Sequence, residues 1–474
     1  MTARTTETDG RPTDREPKDC RPAGCQPTGG RRWGANGRAM RRAARVGALL
    51  ALAIGLARAP DPARANPEIP GAAQSAPILL EQATIHPVNG PPIADGMLLF
   101  DQGRIVAIGQ DIAVPENAQR VSLRGQHVYP GMIESYSHIG LTEIDSVRAT
   151  RDSVETGWLN PNVKAHVAVN PDSELIPVTR SNGVLLALAA PSGGGISGQS
   201  AVLQLDGWTY EDLTLKAGVG MHVRWPHSEP VLGGESDGGR DGAWSVESLA
   251  AALRDTRAYQ QARAAGGSLV DARWESLIPV VNRGMPLIVA ADEAQQIQSA
   301  VAFARRERLR IILYGGYDAP DCADLLRADA IPVIVAGVYR LPQRTDDPFD
   351  ASYTLPERLR QAGIAFCISS AERFGGANAR NLPYHAATAL AYGLPADEAL
   401  KSITLYPARI LGVADRVGSL EPGKDATLFI TNGDPLETAT QVRAAYIQGR
   451  KVDLNDRHKR LYKKYSEKLR RVQP

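Results

Sequence analysis

The run Tyr129-Pro130-Gly131-Met132-Ile133-Glu134-Ser135-Tyr136-Ser137-His138-Ile139-Gly140-Leu141 decides how the rest of the 474-residue chain is read. A Pro-Gly turn opens a short strand whose polar residues sit among apolar neighbours. What lies on either side of that strand differs in kind. Upstream, residues 78–82, 96–101, 104–108 and 119–123 carry apolar alternation separated by Gly, Pro or Asn, the mark of short strands and turns. Residues 98–109 read as a β-hairpin turning at Asp101 to Arg104. Downstream, apolar runs at 184–189, 286–290, 310–313, 332–336 and 365–369 alternate with helix-like stretches at 246–265, 294–308, 322–328, 355–361 and 384–392. Strand and helix in alternation predict βα units on a parallel sheet. A second strand-rich block returns at 417–430 and 444–452. Neither β-block is large enough to bury a core alone, so the two are expected to form one sheet domain.

Composition restricts the function classes. With 43% hydrophobic residues the chain can bury a large core, and a net charge of +2 excludes electrostatic nucleic-acid binding by the molecule as a whole. Four cysteines make no disulfide framework; Cys367, in an apolar strand, is expected to be a free buried thiol. Residues 1–39 are polar and read as a disordered leader extension. Residues 40–65 have the order of a signal peptide: Met40-Arg41-Arg42, an apolar run from Val46 to Ala57, then Ala63-Arg64-Ala65. That order predicts Met40 as the true start and a periplasmic or secreted mature protein. Residues 226–242 are dense in turn formers and read as a surface insertion. The basic segment 453–474 is expected to form a tail helix with Leu461, Tyr462, Tyr465 and Leu469 as its apolar positions.

The strand at 129–141, the later Thr404-Leu405-Tyr406-Pro407-Ala408-Arg409-Ile410-Leu411-Gly412 and the element Gly418-Ser419-Leu420-Glu421-Pro422-Gly423-Lys424-Asp425-Ala426-Thr427 stand in the order and distance that resemble the amidohydrolase superfamily, in particular its exported imidazolonepropionase-like and dipeptidase-like members. The resemblance implies an α/β fold, a (β/α)8 TIM-like barrel over 134–406 with a composite β-domain from 78–133 and 407–452. It implies hydrolysis of a C–N bond in a cyclic amide or small peptide-like compound, with zinc as the expected metal. In that family an H-x-H pair on the first barrel strand, histidines on the fifth and sixth strands and an aspartate on the eighth hold the metal.

This chain departs from the pattern at nearly every ligand. Tyr136 replaces the first histidine and only His138 remains of the pair; the later positions fall at Ala290, Gly315 and one of Ser369 or Ser370. A catalytic zinc takes three protein ligands and a water, so no metal site is assigned and His138 is its only surviving candidate. The candidate catalytic residues are His138, Tyr136, Glu134 and Asp318, with the Tyr136 hydroxyl expected to bond His138. The candidate substrate-binding residues are Asp292, Arg380, and Gly194, Gly195, Ser197 and Gln199 of a Gly-rich loop following a strand. Glu372 also falls just past a strand end. The alternative to a hydrolase is a catalytically inactive relative that binds a small-molecule ligand or docks on a partner, as a homo-oligomer or paired with a related amidohydrolase.

Overall fold

The computed structural model describes residues 69–226, 244–370 and 375–472. The expected leader and signal-peptide segments and nearly all of the expected 226–242 insertion lie outside them, as does Glu372. Among the described residues no helix is long and apolar enough to cross a membrane.

Strands β1 (Ile78–Ile85), β2 (Ile93–Asp101), β3 (Arg104–Gly109), β4 (Gln119–Ser122) and β5 (His127–Pro130) form one part of an eight-stranded sheet. The β2–β3 turn places Gln102 and Gly103 at φ of 47° and 79°, the left-handed pair that a two-residue hairpin needs. The other part of this sheet comes from the far end of the chain: β16 (Leu428–Thr431), β17 (Val442–Ile447) and β18 (Arg450–Lys451). The seam is β5 against β16, antiparallel, with Val128 opposite Ile430 and Tyr129 opposite Phe429. One apolar cluster joins Leu80, Leu98, Phe100 and Val128 to Leu420, Leu428, Ile430 and Tyr446, so each block covers the apolar face the other would expose. The β-domain is therefore composite.

The barrel strands follow β5 directly: β6 (Met132–Ser137), β7 (Val184–Ala189), β8 (Ile196–Gln199), β9 (Ala201–Gln204), β11 (Met221–Arg224), β12 (Leu287–Ala291), β13 (Ile311–Gly315), β14 (Val333–Val335) and β15 (Phe366–Ile368), with the short β10 (Thr214–Lys216) pairing β9 from outside. β6 and β7 are parallel, and β11 to β15 are parallel in sequence order. The third position departs from a regular βα repeat. There β9 runs antiparallel to β7, and β8 antiparallel to β11, as consecutive pieces of one returning segment. Across the remaining gap, the Ser135 hydroxyl donates to the Ile368 carbonyl at 3.1 Å. The helices of ten residues or more are α1 (Val246–Ala264), α2 (Ala272–Val281), α3 (Ala294–Glu307), α4 (Ala351–Gln361), α5 (Leu382–Ala391) and α6 (Arg457–Val472). Cys322 and Cys367 are free and buried; burial pushes the Cys367 thiol up to about 12.

Candidate functional site in the barrel centre

Residues two apart on a strand share a face, so Glu134, Tyr136 and His138 project together from β6 and its end. The intervening serines serve the strand edges: Ser135 bonds to β15, and Ser137 donates to the Leu188 carbonyl of β7 at 3.1 Å. From the opposite wall come His222 of β11 and Tyr314 of β13. The Tyr136 and Tyr314 rings stack with centroids 3.8 Å apart and 11° between planes. His222 and His138 flank Tyr136 at 5.6 and 6.0 Å. The expected bond from the Tyr136 hydroxyl to His138 is not what holds the ring: an edge-to-face contact with His138 and the stack on Tyr314 do.

Register corrects one reading. Ala290 pairs with Tyr314 and Ala291 with Gly315. Parallel partners share a face, so Tyr314, not Gly315, stands on the inner side with Ala290. On the eighth strand, Ser369 donates its hydroxyl to the Val335 carbonyl, whereas the Ser370 amide and hydroxyl both donate to Glu134. Ser370 is therefore the inner residue of the two.

Burial dominates the electrostatics. Glu134 is fully buried; desolvation raises its carboxyl to about 7 although Ser370 and the Tyr136 amide donate to its oxygens. Desolvation also pushes Tyr136 up to about 12 and Tyr314 well above the usual phenol range. It lowers His138, and lowers His222 to about 3 with a further contribution from His138. The Nε2 atoms of His138 and His222 are both buried with no hydrogen-bond partner among the described residues. Two neutral imidazoles with unused ring nitrogens thus face an aromatic wall.

The other candidate residues lie apart from this cluster. Asp292 is held by a two-pronged ion pair with Arg340, at 2.9 and 2.6 Å, and accepts the Tyr317 amide. Asp318 is gripped by Arg344 and accepts the Ala294 amide at the start of α3. Both carboxylates tie loops together at the strand ends. The Gly-rich loop is covered by chain rather than open: β-bridges join Val154 to Ser192 and Leu159 to Ile196. Gly194 lies against the Gly157 carbonyl and Gly195 against the Trp244 ring, so a side chain at either would collide. Ser197 donates to the Gly193 carbonyl at 2.6 Å and Gln199 to the Pro161 carbonyl at 3.1 Å. Arg380 is exposed, and its guanidinium meets His458 of α6 at 2.9 Å. A cleft of 610 Å³ lined by His86, Tyr129, Lys401, Tyr406, Arg409 and Asp434 lies at the β-domain, with no residue of the cluster in its wall.

The residues do not fit the zinc that the family resemblance implies. Among the described residues no three His, Cys, Asp or Glu side chains gather to hold a metal ion. Two stacked phenol rings fill the space between β6 and β13, and Glu134 is committed to Ser370. Sequence reasoning missed His222 and Tyr314. His222 sits in Met221-His222-Val223-Arg224, whose alternation between a Gly-rich turn and the insertion is a short strand signal.

Comparison with known proteins agrees with this architecture. The model of the amidohydrolase family matches residues 283–455. The chain is 22% identical over 397 residues to the amidohydrolase tasK of Hapsidospora irregularis, covering 75% of this chain but 39% of that protein. It is 22% identical over 372 residues to an imidazolonepropionase of Rhizorhabdus wittichii, covering 71% of this chain and 88% of that one. The crystal structure of an amidohydrolase from Thermotoga maritima superposes with a TM-score of 0.72 at 25% identity, over 79% of this chain and 99% of that chain. The barrel with its composite β-domain is thus similar in architecture to the amidohydrolases, and the sequence likeness to that superfamily is carried by residues 283–455 and by the imidazolonepropionase relatives.

Proposed function

We propose that this chain keeps the framework of a C–N bond hydrolase but has given up metal-activated water, and that its barrel centre binds a small neutral molecule instead. The observation that carries this reading is the Tyr136–Tyr314 stack, which replaces two of the expected ligands with rings 3.8 Å apart. The unpartnered Nε2 atoms of His138 and His222 supply the ligand's side of the argument. A buried polar atom without a partner costs about 1–3 kcal/mol, and a hydrogen-bonding guest recovers that cost. Burial holds both imidazoles toward the neutral form, so they offer hydrogen bonds without charge, which suits an uncharged amide-like guest.

Two measurements on the full-length protein test this. The Tyr136→His variant is titrated with zinc in a calorimeter; no stoichiometric binding is expected, because Ala290, Tyr314 and Ser370 still supply no ligand set. Tight one-to-one zinc binding by this variant or by the wild type overturns the reading. A panel of cyclic amides such as hydantoin and dihydrouracil is then screened by thermal shift. At least one is expected to raise the Tm in the wild type and not in His222→Phe, without being hydrolysed.

A further inference from the structure

The C-terminal helix α6 has a surface that nothing in the barrel explains. It runs for 16 residues, about 24 Å, and none of its residues is buried. Its sequence carries eight Lys and Arg against the single acidic Glu467. At 3.6 residues per turn, Leu461, Tyr465, Leu469 and Val472 fall on one stripe with Tyr462 at its edge. The basic residues occupy the rest of the circumference. Tyr462, Tyr465, Leu469 and Val472 are 78, 53, 63 and 72% exposed. The helix is held to the body at its first turn, where Arg460 pairs with Glu174 at 2.6 Å and His458 meets Arg380 at 2.9 Å. By helical spacing Arg460 lies well around from the apolar stripe, and beyond that first turn Tyr465, Leu469 and Val472 of the stripe face outward.

We propose that α6 is an interfacial helix that lays its Leu/Tyr stripe into the surface of an anionic lipid bilayer. Charge selects the occupant. A second copy of this helix would bring the same dense positive charge against itself, so self-docking is opposed, whereas an anionic leaflet neutralises it. Lys464 and Lys468 flank the stripe, where long basic side chains can reach up to headgroups while the apolar side chains enter the acyl boundary. Tyrosine suits that depth, having an apolar ring and a polar tip. The arrangement requires no spanning segment and holds the barrel beside the membrane by its tail.

The test is sedimentation of the whole protein with vesicles of phosphatidylcholine alone or with one third phosphatidylglycerol. Binding to the anionic vesicles is expected to exceed that to neutral ones by about tenfold or more at low salt, and to fall as salt shortens the screening length below about 10 Å. The combined change Leu461→Ser, Tyr465→Ser and Leu469→Ser should abolish it while leaving the Tm of the barrel unchanged. Absence of binding to anionic vesicles at low salt overturns the proposal, as does binding that survives the triple change. A concentration-dependent dimer that the same triple change dissolves, without vesicle binding, would assign the stripe to a second copy and overturn it equally.

Discussion

Glu134 and the two inner histidines respond to pH in opposite senses. The Glu134 carboxyl is raised from 4.5 to about 7 on folding, so the folded state prefers it protonated. Its contribution is complete below pH 4.5 and is lost as pH rises through 7. His222 is lowered from 6.5 to about 3, so the unfolded chain takes up a proton first; its contribution is complete above 6.5 and is lost as pH falls toward 3. Between 4.5 and 6.5 the two slopes oppose, each at most about 1.4 kcal/mol per pH unit. Glu134→Gln removes one of them. The variant is therefore expected to lose stability more steeply than the wild type as pH falls from 6.5 to 4.5, read from urea midpoints at half-unit steps. Parallel curves for the two proteins would mean that Glu134 is already ionised in the fold.

At the scale of elements, what could be read in the sequence depended on how much of an element's fate was local. The six consecutive apolar residues of β7 can only be a strand buried on both faces, and the expected and observed bounds coincide. The β2–β3 hairpin announces itself by its turn residues. By contrast, Ile196 to Gln199 reads as part of a Gly-rich loop over residues 191–200 because Ser197 and Gly198 interrupt it; its strand character comes from its neighbour β11, as that of the following β9 comes from β7. The inner site was partly visible: Glu134, Tyr136 and His138 share one strand. His222 and Tyr314 join them only through barrel closure, across sequence distances that no periodicity encodes. The same closure explains the glycines. Gly195 is demanded by the Trp244 ring, which lies tilted against Trp158 at 5.7 Å and donates its indole N–H to the Arg224 carbonyl at 2.9 Å. Gly195→Ala is expected to cost about 1–3 kcal/mol by overpacking, lowering the urea midpoint with little change in slope. A variant as stable as the wild type would show that Trp244 moves aside freely and that the loop is open to a ligand after all.

For the molecule as a whole, the chain leaves the β-domain at β5, completes the barrel, and returns to the same sheet some 300 residues later, so the barrel is a closed insertion in the β-domain. Phe429 shows how tightly the two are joined. It is fully buried on β16, stacks on Tyr129 of β5 at 5.6 Å, and its ring occupies the space where Gly183, at the entry to β7, lacks a side chain. β16 is buried along its entire length, and with β17 it supplies Leu428, Phe429, Ile430, Tyr446 and Ile447 to the two cores. Stopping the chain after Thr427 would leave the β5 edge unpaired and the apolar faces of β1, β2 and β5 in water. Exposed edges and apolar patches of that kind drive association between chains. The truncated protein is expected to be insoluble on expression and, if refolded, to show no cooperative unfolding transition. The subtler Phe429→Ala change should fold but lose about 3–5 kcal/mol, with β-domain and barrel melting together because the ring belongs to both. Separate transitions in calorimetry, or a soluble truncation that unfolds cooperatively, would show that the barrel stands without the returning strands and that the composite sheet is an attachment to it.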